Sequence, residues 1–153
     1  MTRSLPRPLL ASLCALVFGQ VSACSSPTGP PSTDCTVETV FSGDRQVPGS
    51  TQVIESFTTA RTGWLEVTVD WVAPETIIRV VLTQAPCGSD RFRVNGCNVI
   101  SDESPPPKPV EVSTTWLRPG TYDLILANFS SAEETASTRV ILRSTGCPGP
   151  GQE

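Results

Sequence analysis

No histidine occurs in the 153 residues, and Lys108 is the one lysine. Without an imidazole there is no Ser-His-Asp triad, no Cys-His pair and no histidine-based metal site. A Ser-Lys nucleophile would need Lys108, which sits in the proline-rich run Ser104 to Pro109. No Cys-x-x-Cys spacing is present, so closely spaced zinc-ligand pairs are missing. No spaced acidic loop of the calcium-binding kind appears either. The chain carries a formal charge of −4, the wrong sign for neutralising a phosphate backbone, so nucleic acid is not expected as a partner. No apolar stretch approaches the roughly 20 residues a transmembrane helix needs.

What the first residues do contain is a targeting pattern. Arg3 and Arg7 precede an apolar run from Leu9 to Phe18 broken only by Ser12. A basic start, a short apolar stretch and small residues at its end predict a signal peptide over residues 1–23. Val21-Ser22-Ala23-Cys24 resembles the lipobox of bacterial lipoproteins. In that family the thiol of the cysteine takes a diacylglyceryl group, the signal is cut before it, and the new amine is acylated. The resemblance therefore implies lipidation at Cys24 and membrane lipid as a partner. Each buried methylene contributes about 0.8 kcal/mol, so two or three chains hold a protein on a bilayer effectively permanently. Ser25, rather than Asp, follows the cysteine; by the enterobacterial sorting rule this implies the outer membrane. Cleavage would leave a net charge of −6, since Arg3 and Arg7 depart with the signal.

Residues 24–34, the lipidated cysteine followed by SSPTGPPSTD, form a Pro/Ser-rich linker without apolar periodicity, able to reach up to about 30 Å. Beyond it the pattern is one of strands. Leu65, Val67, Val69 and Trp71 alternate with Glu66, Thr68 and Asp70, the period of a half-buried antiparallel strand. Ile78, Val80 and Leu82 share a face, as do Tyr122, Leu124 and Leu126, and Thr138, Val140 and Leu142, and Val110–Leu117 is expected as a further strand. Asn95-Gly96 predicts a hairpin between Phe92–Val94 and Cys97–Ile100, and Pro119-Gly120 suits a type II turn. Residues 131–136 form either one helical turn or a loop. The expectation is an all-β fold, a small antiparallel β-sandwich of eight or nine strands over residues 35–147, with a flexible tail at 148–153.

Two segments carry a resemblance. Gly63-Trp64-Leu65-Glu66-Val67-Thr68-Val69-Asp70-Trp71 and Leu117-Arg118-Pro119-Gly120-Thr121-Tyr122-Asp123-Leu124-Ile125-Leu126-Ala127-Asn128-Phe129 are similar to strands of the pre-peptidase C-terminal domains. These are small jelly-roll-like sandwiches attached to secreted enzymes and surface proteins. The likeness implies a non-catalytic accessory module. Where that family carries acids before and within its third strand, this chain has Glu75-Thr76-Ile77-Ile78-Arg79, so the calcium site of some relatives is not carried over. No cofactor and no metal are expected. Asp102 with Glu103, and Asp44 with Glu55, are the remaining oxygen-ligand candidates.

Cys35, Cys87, Cys97 and Cys147 form an even set in an exported chain, which predicts two disulfides in one of three pairings. Cys87 and Cys97 flank a short excursion whose closure would supply the required Cα separation of about 5.5 Å, and relatives place two cysteines in the same region. Cys35 with Cys147 is then expected by elimination, as domain termini often lie close together. Asp70 and Asp123 fall on outward strand positions, where solvated surface is expected rather than a catalytic pair. Asn128-Phe129-Ser130 matches the glycosylation acceptor pattern by chance. Trp71 is expected in the core, and one of Trp116 and Leu117 inside. Trp64 shares its parity with Glu66 and Asp70 and is expected at the surface, where it can contact a ligand. The expected function is a membrane-anchored, non-catalytic envelope module that binds an unknown envelope protein or glycan. The alternatives are a spacer lipoprotein and a carbohydrate-binding accessory domain. Cells fed a labelled fatty acid should label the wild-type chain and not Cys24→Ser; a wild-type chain that takes up no label contradicts the anchor.

Overall fold

The computed structural model describes residues 34–104 and 108–149. The expected signal peptide, the expected lipidation site Cys24, nearly all of the expected linker and the end of the expected tail lie outside the described residues. Eight strands form two antiparallel sheets. They are β1 (Val37–Val47), β2 (Gln52–Thr59), β3 (Gly63–Trp71), β4 (Ile78–Gln84), β5 (Asn98–Glu103), β6 (Val110–Ser113), β7 (Gly120–Asn128) and β8 (Glu134–Ser144). One sheet runs β1-β8-β3-β6, the other β2-β7-β4-β5. Consecutive strands thus alternate between layers, apart from the β4–β5 pair, and first and last strands pair; this is the order of a jelly roll.

The period-two positions fill the space between the sheets. Leu65, Val67, Val69 and Trp71 of β3 meet Ile78, Val80 and Leu82 of β4 and Tyr122, Leu124 and Leu126 of β7. Burying each such side chain is worth about 1.5–3 kcal/mol. Gly63 opens β3 at a close approach: a Cβ there would lie 2.1 Å from the Arg143 carbonyl oxygen, so no larger residue fits. Cys35 bonds Cys147 across 4.2 Å between Cα atoms, and Cys87 bonds Cys97 across 5.5 Å. The first ties the start of β1 to the end of β8. In the chain-entropy picture this long loop contributes nearly 5 kcal/mol and the short one about 3.

Three local expectations are corrected. Asn95-Gly96 does not turn a hairpin; it ends a short helix, α1 (Ser89–Arg93), with Asn95 at φ 55° and the Gly96 amide donating to the Arg91 carbonyl at 2.8 Å. A left-handed Asn suits a helix end as well as a tight hairpin, and the Cys87–Cys97 disulfide that closes the same excursion favours the compact helical turn. The strand expected over Val110–Leu117 stops at Ser113, and Leu117 makes only an isolated bridge to Gly63. Gly120 is the first residue of β7, paired with Thr59, and its φ is not left-handed, so the type II turn is absent.

Glu134 holds the turn after β3. Its Oε2 accepts the Ala73 amide at 3.0 Å and its Oε1 the Thr135 amide at 3.0 Å. Burial alone would raise its pKa, but these bonds and those from Val72 and Thr76 outweigh it and hold the carboxyl below the usual glutamate range. The folded chain therefore binds this proton less tightly than the unfolded one. The resulting stability is present above the ordinary value of about 4.3 and fades as pH falls through the lowered folded value. Glu134→Gln should cost about 1–2 kcal/mol in urea unfolding at pH 7 and lose less stability than wild type between pH 7 and pH 3. Parallel pH profiles for the two chains would contradict this role.

Candidate functional site

Sheet β2-β7-β4-β5 carries a second, smaller apolar layer on its outer face. Alternation places Ile54, Ile125 and Val81 there, since Ile54 pairs with Ile125 and Ile125 with Val81 across three strands. Val81 and Ile125 are fully buried under Cys87, Cys97 and Phe92. The β4–β5 connection, residues 85–97, is what covers them. It lies flat over the face, closed by its disulfide and clamped by Arg91, whose guanidinium donates to the Pro86 carbonyl at 2.8 Å and the Gly96 carbonyl at 3.1 Å.

A buried acid fastens one end of this connection. Asp123 lies on the outer face but is only 3% exposed. Its Oδ2 accepts the Cys87 amide at 2.6 Å and its Oδ1 the Ser56 hydroxyl at 2.6 Å. The expectation of a solvated Asp123 is thereby corrected: parity gives the face of the sheet, and the stapled connection then covers that face. Asp70, by contrast, is exposed on β3. The two acids belong to outer faces of different sheets and form no catalytic pair.

One row further along, Gln52 of β2 and Arg79 of β4 both pair with Ala127 of β7. The small Ala127 leaves a depression between two long side chains. The connection ends short of this row, and an open groove of about 540 Å³ remains, walled by Ser89, Phe92 and Arg93 on one side and Ser50, Thr51 and Phe129 on the other. That volume falls within the range of about 300–1,000 Å³ typical of small-ligand sites. Phe129 is 61% exposed.

The groove is basic. Arg79 and Arg93 line it and no carboxylate does. Arg79 is neutralised by Asp102, its Nε donating at 2.8 Å and its second nitrogen completing a two-pronged pair. The hydrogen bond from Arg79 holds the Asp102 carboxyl below the usual aspartate range, and the same bond raises Arg79. The Arg79 guanidinium also lies over the Phe92 ring, 5.6 Å from its centre. Gln52 Nε2 is buried and has no hydrogen-bond partner. Asn128 is 2% exposed, and its amide is committed to the Val47 and Ala132 carbonyls at 3.0 and 2.8 Å, which leaves no room for a glycan on its nitrogen.

Trp64 is not at the surface. It is 2% exposed, while Trp116 is 52% exposed and packs edge-on against it, ring centres 4.8 Å apart. The segment from Thr114 to Leu117 continues past β6 along the edge of β3, held by Leu65 to Thr114 and Gly63 to Leu117 hydrogen bonds, and its Trp116 ring covers Trp64. Here too the parity was right and the cover was not legible. The expectation of an exposed Trp64 is thereby corrected: Trp116 is the exposed ring of the pair, and their shared apolar hollow, about 220 Å³, also involves Gly149. Trp71 is in the core, and its indole nitrogen donates to the Thr76 carbonyl at 2.9 Å. Among the oxygen-ligand candidates, Asp102 is taken by Arg79 and Glu55 by Arg45. No group of three or more potential ligands gathers among the described residues. Sequence reasoning missed Arg93, Gln52 and Ala127; the one signal for them was the pair of arginines flanking Phe92 inside a disulfide loop.

No protein-family model and no curated protein matches the chain. Among solved structures it is similar to the pre-peptidase C-terminal domain of a Bacillus anthracis collagenase, at 13% identity and TM-score 0.46, over 70% of this chain and 87% of that one. It is also similar to the Yersinia pseudotuberculosis-derived mitogen, at 16% identity and TM-score 0.48, over 75% and 97% of the two chains. A third likeness is to the infectious bursal disease virus Gx strain structure, at 12% identity and TM-score 0.36; it covers 92% of this chain but only 37% of that one.

Proposed function

We propose that this chain is a non-catalytic binding module of the bacterial cell envelope, tethered to the outer membrane by lipid on Cys24, with the groove over Ala127 as its binding site. The observation that carries this reading is the groove itself: a concave, basic, hydroxyl- and amide-lined depression on a rigid sheet. Its lining offers donors and ring faces, which recognise a ligand. It offers nothing that would take a proton from Ser50 or Ser89, because the lining holds no carboxylate and the chain no histidine. The signal peptide, lipobox and linker support a position at the membrane, with the module held away from the bilayer. A spacer role would leave an accessible depression on the sheet without purpose, so binding is the better reading.

The test fills the groove. Wild-type chain should co-sediment with delipidated envelope material of the producing cell. Ala127→Trp should weaken this at least tenfold, and Phe129→Ala, on the exposed rim and remote from the core, should weaken it severalfold with an unchanged melting temperature. Unaltered sedimentation of both variants would place binding elsewhere or nowhere.

A further inference from the structure

We infer that the groove takes a saccharide bearing a carboxylate, with Arg93 as the residue that recognises the acid; this rests on the groove being the binding site. Two cations line it, but only one is available. Arg79 is satisfied by Asp102, whereas Arg93 is exposed and its side chain enters no hydrogen bond or ion pair among the described residues. A guanidinium held beside a depression that contains no acid favours an anion, and its planar fork matches a carboxylate with two parallel hydrogen bonds. The rest of the chain is net negative, so the attraction is local to this groove. One free cation suits a ligand with single, spaced charges rather than a polyphosphate.

The remaining lining says what the charge is attached to. Gln52 lines the groove with a primary amide whose buried Nε2 has no protein partner. A half-turn about its last torsion exchanges donor and acceptor ends, so it can serve either role of a sugar hydroxyl. Ser50, Ser89 and Asn95 add polar groups around the rim, and the exposed Phe129 ring with the edge of Phe92 supplies apolar surface for the C–H face of a pyranose. The volume accommodates about two or three such rings at ordinary packing density. A peptide fits less well. The groove opens on the face of the sheet, where the β7 and β4 backbones are already paired on both sides, so no strand can be added. The apolar row that might have seated a side chain, Ile54, Ile125 and Val81, is occupied by Phe92 and the Cys87–Cys97 bridge.

Calorimetry of the purified chain with trigalacturonate, the neutral galactotriose and a tri-glutamate peptide separates these cases. Trigalacturonate should bind at least tenfold more tightly than galactotriose. Arg93→Gln, a change at an exposed position, should bring the acidic sugar down to the neutral one, and Ala127→Trp should abolish both. Equal affinities for the two sugars in wild type, or a preference that survives Arg93→Gln, would overturn the carboxylate assignment and leave the groove reading standing. Tri-glutamate binding as tightly as trigalacturonate, or no sugar binding at all, would overturn the saccharide assignment. The groove reading itself falls if envelope sedimentation is unaltered in both Ala127→Trp and Phe129→Ala.

Discussion

A buried carboxylate on what should be the wet side of a sheet governs this molecule. Asp123 sits in the middle of β7 and faces away from the core, yet is almost wholly covered. A charge in that position is tolerated only when its oxygens are bonded. Both are: one by the Ser56 hydroxyl of the neighbouring strand, the other by the Cys87 amide. The second bond ties a connection of more than ten residues down on the sheet at its first cysteine. The bridge to Cys97 brings the far end back, and Phe92 fills the space between against Ile125 and Val81.

That docking determines where the sheet is open. Along β7 the outward positions run Asp123, Ile125, Ala127, and each has a distinct consequence. The acid fastens the connection and the isoleucine seats it. The alanine lies just past its edge and, being small, leaves the depression between Gln52 and Arg79. Arg93 then borders the depression because α1 carries it there, and no carboxylate of the described residues forms an ion pair with it. The groove is thus a by-product of how far a disulfide-closed loop reaches across a jelly-roll face, and its charge follows from which arginine found an aspartate and which did not.

Much of the sandwich was legible because its inner faces obey one rule. Period two in β3, β4, β7 and β8 told which side chains meet, and the spacing of turns told that there were many short strands. What period two cannot tell is what lies over an outward face. Parity places Trp64 and Asp123 outward, as they are, but does not show that each is covered by a segment distant in sequence: Trp64 by the Trp116 ring, Asp123 by the 85–97 connection. The continuous run Leu124-Ile125-Leu126 was the available hint, since an outward isoleucine flanked by core leucines asks for a cover. Asn95-Gly96 misled because its left-handed preference fits two structures, and the choice between them is made by the Cys87–Cys97 closure. The groove left no motif at all; it depends on one small residue being paired between two long ones on strands far apart in the chain.

Hydrogen exchange of the Cys87 amide is the most direct test that the connection is docked through Asp123. With the bond in place, this amide should exchange as slowly as the interior amides of β4 and β7. In Asp123→Ala it should exchange at least tenfold faster, with the Gly96 amide following and the amides of β3 and β8 unchanged. A Cys87 amide that already exchanges at the rate of an open loop in the wild-type chain would mean that the outer face is not covered and the groove has no fixed wall.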